Sequence, residues 1–174
     1  MPRPEEVYIA SSCNGEVLNV NDNSEITTSV PTGSRSEKWM IYDKVTTITS
    51  CYNKQVLTFV PDNTKPKIKM AHIDESNENQ MWVIDHEKGS IISQGRERFQ
   101  FLPSLNTRQE KRNTFCSVKL RNQIQPLTRW IIVPANSEGS NLVQNMHRSL
   151  KLLNELWKLS NGEQPESVHR NIYF

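Results

Sequence analysis

The sequence predicts an all-β chain, a β-trefoil of three four-stranded repeats, with a C-terminal amphipathic α-helix. Three observations carry this. Three tryptophans head similar phrases, Trp39-Met40-Ile41-Tyr42-Asp43, Trp82-Val83-Ile84-Asp85-His86 and Trp130-Ile131-Ile132-Val133-Pro134, spaced 43 and 48 residues apart. A second phrase lies upstream: Ser12-Cys13-Asn14-Gly15-Glu16-Val17-Leu18 matches Ser50-Cys51-Tyr52-Asn53-Lys54-Gln55-Val56-Leu57, and Ser93-Gln94-Gly95-Arg96-Glu97-Arg98-Phe99 is a looser copy. Between the two runs an alternating strand, Ile26-x-Thr28-x-Val30, Ile68-x-Met70 and Val118-x-Leu120, starting 13, 14 and 12 residues before its tryptophan. Self-similarity at such a period is the mark of a repeat architecture.

Each unit reads as four short strands joined by polar turns. In the first they fall at about Val7–Ala10, Val17–Val20, Ile26–Val30 and Trp39–Tyr42. Asn14-Gly15 is hairpin chemistry, because the central residues of a type I′ turn need positive φ. Asn21-Asp22-Asn23-Ser24 and Pro61-Asp62-Asn63-Thr64 are further turns. Twelve short strands in three units can close a small barrel and cap it, which removes most sheet edges. A propeller also uses four-stranded units, but it needs at least about four blades. The trefoil is expected over residues 5–134, with repeats at about 5–43, 44–85 and 86–134.

Composition agrees. Leu, Ile, Val and Phe make up 24% of the 174 residues, above the ~20% below which chains tend to be disordered. The net charge of +2 hides an uneven distribution. Residues 1–93 carry −4, residues 94–130 carry +6, and residues 131–174 balance. Arg96, Arg98, Arg108, Lys111, Arg112, Lys119 and Arg121 therefore form a basic third lobe, suited to an acidic surface by long-range attraction. No nucleic-acid motif or set of interleaved aromatics accompanies them, which argues against a nucleic-acid partner.

No apolar run reaches the ~18–20 residues that cross a bilayer. The stretch Met1–Glu6 holds no apolar segment of signal-peptide type, and none of the 17 asparagines heads an Asn-x-Ser/Thr acceptor. The three cysteines, Cys13, Cys51 and Cys116, are odd in number and show no CxxC spacing. A cytoplasmic location is expected, with reduced thiols. Cys13 and Cys51 are read as equivalent packing positions of two repeats. No cofactor and no metal are expected, because the four histidines lack metal-ligand spacing and nucleophile, zinc and phosphate-loop motifs are absent. The expectation is a non-enzyme.

From residue 136 to 174 the pattern changes. Leu142, Met146, Leu150, Leu153 and Trp157 follow steps of 4, 4, 3 and 4, flanked by Val143 and Leu156. His147, Lys151, Asn154, Glu155 and Lys158 fall opposite. Ser140 or Asn141 is the expected N-cap, and Asn161-Gly162 the stop. Leu152 and Leu159 widen the apolar arc to about 200°, beyond the ~100° of an ordinary surface helix. One edge is thus expected on the trefoil. The rest is offered to a protein partner or a second copy, unless the chain's own apolar end, Ile172-Tyr173-Phe174, covers it.

The repeats resemble the ricin B-type lectin family, whose units end in Gln-x-Trp after a Leu-Asp-Val-like strand. Asn79-Gln80-Met81-Trp82 matches that ending, Glu37-Lys38-Trp39 and Thr128-Arg129-Trp130 are degenerate copies, and Leu18-Asn19-Val20 resembles the strand. The resemblance implies a sugar site built from an Asp after the second strand, an aromatic platform and the Asn of the motif. It places such a site in the second repeat, at Asp62, His72, Asn79 and Gln80, with Thr58 at the acidic position itself. The first repeat offers Asn19 alone. Two functions follow: a protein-interaction module acting through the helix and basic lobe, or a carbohydrate-binding module with one residual site.

Overall fold

The computed structural model describes residues 3–62, 66–96, 99–103, 116–120 and 129–162, the strand 116–120 by its backbone. Four strands form the first repeat: β1 (Glu5–Ser11), β2 (Val17–Val20), β3 (Ile26–Ser29) and β4 (Trp39–Ile41). In the second, the opening strand is split into β5 (Val45–Thr46) and β6 (Thr49–Ser50). They precede β7 (Val56–Val60), β8 (Lys67–Ala71) and β9 (Trp82–Asp85). The third holds β10 (Ser90–Ser93), β11 (Phe99–Pro103), β12 (Cys116–Leu120) and β13 (Trp130–Pro134).

Pairing closes a barrel from the first and last strands of each unit. β1 runs antiparallel to β4 and β13, β6 to β4, β5 to β9, and β10 to β9. Trp130 N–H donates to Gly89 O at 2.9 Å, which brings β13 back to β10. The middle strands make three hairpins, β2–β3, β7–β8 and β11–β12, whose outer strands touch one another in a cap. This is the predicted all-β architecture.

The repeated tryptophans fill the centre. Trp39, Trp82 and Trp130 are buried with Ile9, Leu18, Leu57, Ile84, Ile91 and Phe101 in one cluster. Their indole N–H groups donate to Leu18 O, Leu57 O and Phe101 O at 3.0, 2.9 and 3.1 Å. Each bond ties the last strand of a unit to its second strand and satisfies a buried donor. Phe101 stacks on Trp130 with ring centroids 5.1 Å apart.

Backbone bonds place the repeats in register. Ser12, Cys51 and Gln94 N–H donate to Arg129, Lys38 and Met81 O, each at 3.0 Å. Ser11 and Ser50 then hold matching turns through their hydroxyls, which accept from Cys13 N and Tyr52 N. Gly15 and Lys54 share the positive φ that the turn demands. The upstream phrases therefore align without a gap, and Cys51 corresponds to Ser12. Cys13 corresponds to Tyr52, so the expected equivalence of the two cysteines is corrected. Cys51 is buried, and burial pushes its thiol pKa up.

After β13 the helix α1 spans Ser137–Ser160. It starts earlier than expected because Asn136, not Ser140 or Asn141, caps it, accepting from Gly139 N at 2.8 Å. Asn161 and Gly162 (φ 75°) end it, as the sequence indicated. Its seat lies on the seam where the chain's first and last strands meet. Val7 and Ile9 of β1 point into the barrel, whereas Tyr8 and Ala10 pack with Val17, Val133 and Val143 under the helix. Both faces of this seam are covered, which accounts for the unbroken apolar runs Val7–Ala10 and Ile131–Val133.

The seated face differs from the one expected. Val143 is buried and Met146 and Leu150 are half-buried, but Leu142 is exposed. His147, expected on the solvent side, packs on the Asn14-Gly15 turn, with Nδ1 3.0 Å from Asn14 O. A Cβ on Gly15 would lie 2.6 Å from His147 Cα, so the bare glycine lets the helix approach. Lys158, also expected outward, is buried. The helix has turned toward a polar anchor that hydrophobic periodicity does not register.

Candidate functional site

The turns that follow the barrel strands carry the candidate site. In the second repeat, Gln80 is buried, its Nε2 donating to His72 O at 2.9 Å and its Oε1 accepting from Asp74 N at 2.8 Å. Both halves of its amide thus brace the turn. His72 is exposed and meets Gln80 through its backbone. Asn79 is half-buried and faces Gly95, and its backbone N–H is bound by Asn77 Oδ1. Asp62 is exposed and engaged in an interaction of its own. Thr58 is buried and donates to Val56 O.

Glu37 takes the Gln80 position in the first repeat. Its carboxylate is buried and accepts from Thr32 N (2.9 Å), Gly33 N (3.0 Å), Thr32 Oγ1 (2.6 Å) and Ser34 Oγ (2.9 Å). A turn offering donors calls for an acceptor-only group, and a carboxylate supplies one. The degenerate motif is chemically matched to its own turn.

That same repeat contains a cleft of about 280 Å³ lined by Asn19, Val20, Asn21, Asp22, Ser34, Arg35, Ser36 and Tyr52. Three elements make its walls. Asn21 Oδ1 accepts from Asn23 N and Glu25 N, which shapes the turn that presents Asp22. The 3-10 turn Arg35–Glu37, fixed by Glu37, presents Ser34, Arg35 and Ser36. The third wall is Tyr52, from the first turn of the second repeat, which Asn53 Nδ2 links to Ser24 Oγ at 3.3 Å.

Its polar groups are held in place. Tyr52 donates its hydroxyl to Asp22 Oδ1 at 2.7 Å, and this bond to a carboxylate raises the phenol pKa. Arg35 Nε donates to Cys51 O at 3.1 Å, anchoring the guanidinium to the residue before Tyr52. Asn19 Oδ1 is buried without a hydrogen-bond partner, an arrangement that is rare and costly. The cleft thus joins an exposed carboxylate, a half-exposed aromatic ring, a cation, hydroxyls and an amide.

Sequence reasoning missed Asp22, Arg35 and Tyr52. Asp22 stands two residues past β2 and three beyond Asn19, the residue that corresponds to Thr58, so the search for an acid one position at a time passed over it. Tyr52 enters from the neighbouring repeat, 30 residues away from its partner Asp22, and a search within one repeat cannot find it. Of the basic lobe, Arg96 is exposed. Arg98, Arg108, Lys111, Arg112 and Arg121 lie outside the described residues, as do the Lys119 side chain and the apolar end 172–174. Among the described residues, no group of three or more His, Cys, Asp or Glu is placed to hold a metal. No helix among them is long and apolar enough to cross a membrane.

Solved structures supply the comparison. The C-terminal half of an earthworm R-type lectin, in complex with GalNAc, superposes with a TM-score of 0.55 at 17% identity, covering 74% of this chain and 98% of that one. A mutant of the earthworm lectin C-terminal domain, in complex with 6′-sialyllactose, gives 0.58 at 17% identity over the same shares. The fold is a β-trefoil. A Gallus interleukin-1 beta mutant also superposes, with a TM-score of 0.56 at 12% identity, covering 75% of this chain and 95% of that one. The trefoil therefore serves more than one kind of protein in these comparisons, and the site must carry the functional argument. No protein-family model matches the sequence, and no curated protein matches it.

Proposed function

We propose that this β-trefoil is a non-enzymatic carbohydrate-binding module whose site is the cleft of the first repeat. The observation that carries the reading is the Asp22–Tyr52 pair across an open cleft of about 280 Å³. That volume falls just below the ~300–1,000 Å³ usual for small-molecule clefts. A sugar needs acceptors for its hydroxyls and an apolar surface for its ring. Asp22 Oδ2 accepts from one hydroxyl in a charge-assisted bond, and the Tyr52 ring packs on the apolar face. Ser36 supplies a hydroxyl and Arg35 a donor. The likeness to domains solved with GalNAc and 6′-sialyllactose supports this class of ligand.

A glycan array tests it. Binding is expected to galactose-type or related sugars, and Tyr52→Ala, at a half-exposed position, should lose it while the protein stays folded. Silence across the array would sink the reading.

A second reading rests on a different observation. Leu142, Leu152, Leu153, Leu156, Trp157 and Leu159 of α1 are each more than half exposed. So much large apolar surface on one helix favours a protein contact, the trefoil then acting as an interaction module.

A further inference from the structure

Four of the six exposed large apolar residues of α1 follow a seven-residue repeat, with Leu153 and Trp157 beside it. Leu142, Ser149 and Leu156 occupy one position of it, and Asn145, Leu152 and Leu159 the position three further on. That spacing is the a and d seam of a coiled coil. The seam points away from the trefoil, because Gly139 and Val143 on the other side are buried. Its four leucines are 57, 57, 53 and 51% exposed in chain order.

We propose that this seam packs against α1 of a second copy of the chain, antiparallel, about a two-fold axis near Leu150 and Lys151. The inference deepens the contact-surface reading of α1 and rests on it. Charge complementarity selects the occupant and the direction. With the axis there, Leu142 meets Leu159 of the second copy, Ser149 meets Leu152, and Asn145 meets Leu156. Ser149 and Asn145 then each face a leucine rather than their own copies, and Leu142 packs on Leu159, which lets the layers interdigitate. Arg148 and Glu155 border the seam on one side, and the two-fold brings Arg148 of each copy beside Glu155 of the other.

Within one chain seven residues of helix separate these two by about 10 Å. Neither has an ion-pair partner among the described residues. Parallel packing would place Arg148 beside Leu153 and stack Ser149 on Ser149 and Asn145 on Asn145. Flanking charges of this kind set partner choice and orientation.

Sedimentation equilibrium of the full chain over a concentration series tests the proposal. The wild type should dimerise, and Leu156→Glu should weaken the dimer by about 100-fold or more, because each dimer loses two buried leucines. Arg148→Glu or Glu155→Arg alone should raise the dissociation constant about three- to tenfold, and the double reversal should restore it. Circular dichroism checks that these substitutions leave the fold intact. A dimer sensitive to Leu156→Glu but indifferent to both charge reversals keeps the contact surface and overturns the antiparallel pairing. A chain that stays monomeric throughout overturns the second copy as occupant.

Discussion

The first two repeats share a backbone and differ at the rim. Both bury a tryptophan whose indole reaches a carbonyl of the second strand, and both brace the turn before it with a buried side chain two residues earlier. In the first repeat the rim holds Arg35 and Ser36, with Tyr52 closing the wall. At the corresponding places the second has Glu78, Asn79 and Gly95, and Gly95 contributes no wall. The skeleton is repeated because each copy must solve the same packing problem. The rim is exposed and carries no such constraint, so it is where the repeats diverge and where recognition can be built.

The skeleton's side of this comparison predicts the largest effect. Trp82→Ala should destabilise the protein by about 3–5 kcal/mol, since it opens a cavity and strands the Leu57 carbonyl. Chemical denaturation measures this, and Trp39→Ala should match it if the repeats are mechanically equivalent. A difference of several kcal/mol between the two would break the equivalence.

A smaller effect is expected at the braces. Glu37→Gln should cost about 1–3 kcal/mol, because an amide N–H would then face a turn made of donors. The familiar Gln-x-Trp residue is thus expected to harm the first repeat. Unchanged stability in the denaturation midpoint would show that the braces are interchangeable.

The pH dependence at the helix seat should be smaller still. Burial raises the pKa of Glu16 above 4.5, opposed by the Thr28 hydrogen bond and the charge of His147. The folded state therefore holds this proton to higher pH than the unfolded chain does. Its contribution to stability falls as pH rises from about 4.5 through the folded pKa. Glu16→Gln should flatten that part of the thermal-stability profile, and an unaltered slope would assign it to other groups.

Much of the fold was legible in the sequence because repetition supplies its own check. The tryptophans, the alternating strands and Asn14-Gly15 mark the same unit in the same order. The helix was legible from its period, but its seat was not. His147 turns α1 through a bond to Asn14 O, and the Asn136 cap lies six residues ahead of the apolar stripe. The rim was the least legible part. Matching Cys13 to Cys51 inserted a false gap and hid Tyr52, whose partner Asp22 belongs to another repeat.

The contrast between rims reduces to one pair of substitutions. Isothermal titration with the best sugar from an array should show Asp22→Asn binding at least about tenfold more weakly, the loss of one charge-assisted hydrogen bond. Asn79→Ala, in the second repeat, should bind like the wild type. The reverse pattern, with Asn79→Ala abolishing binding and Asp22→Asn leaving it intact, would contradict the account and return the site to the second repeat.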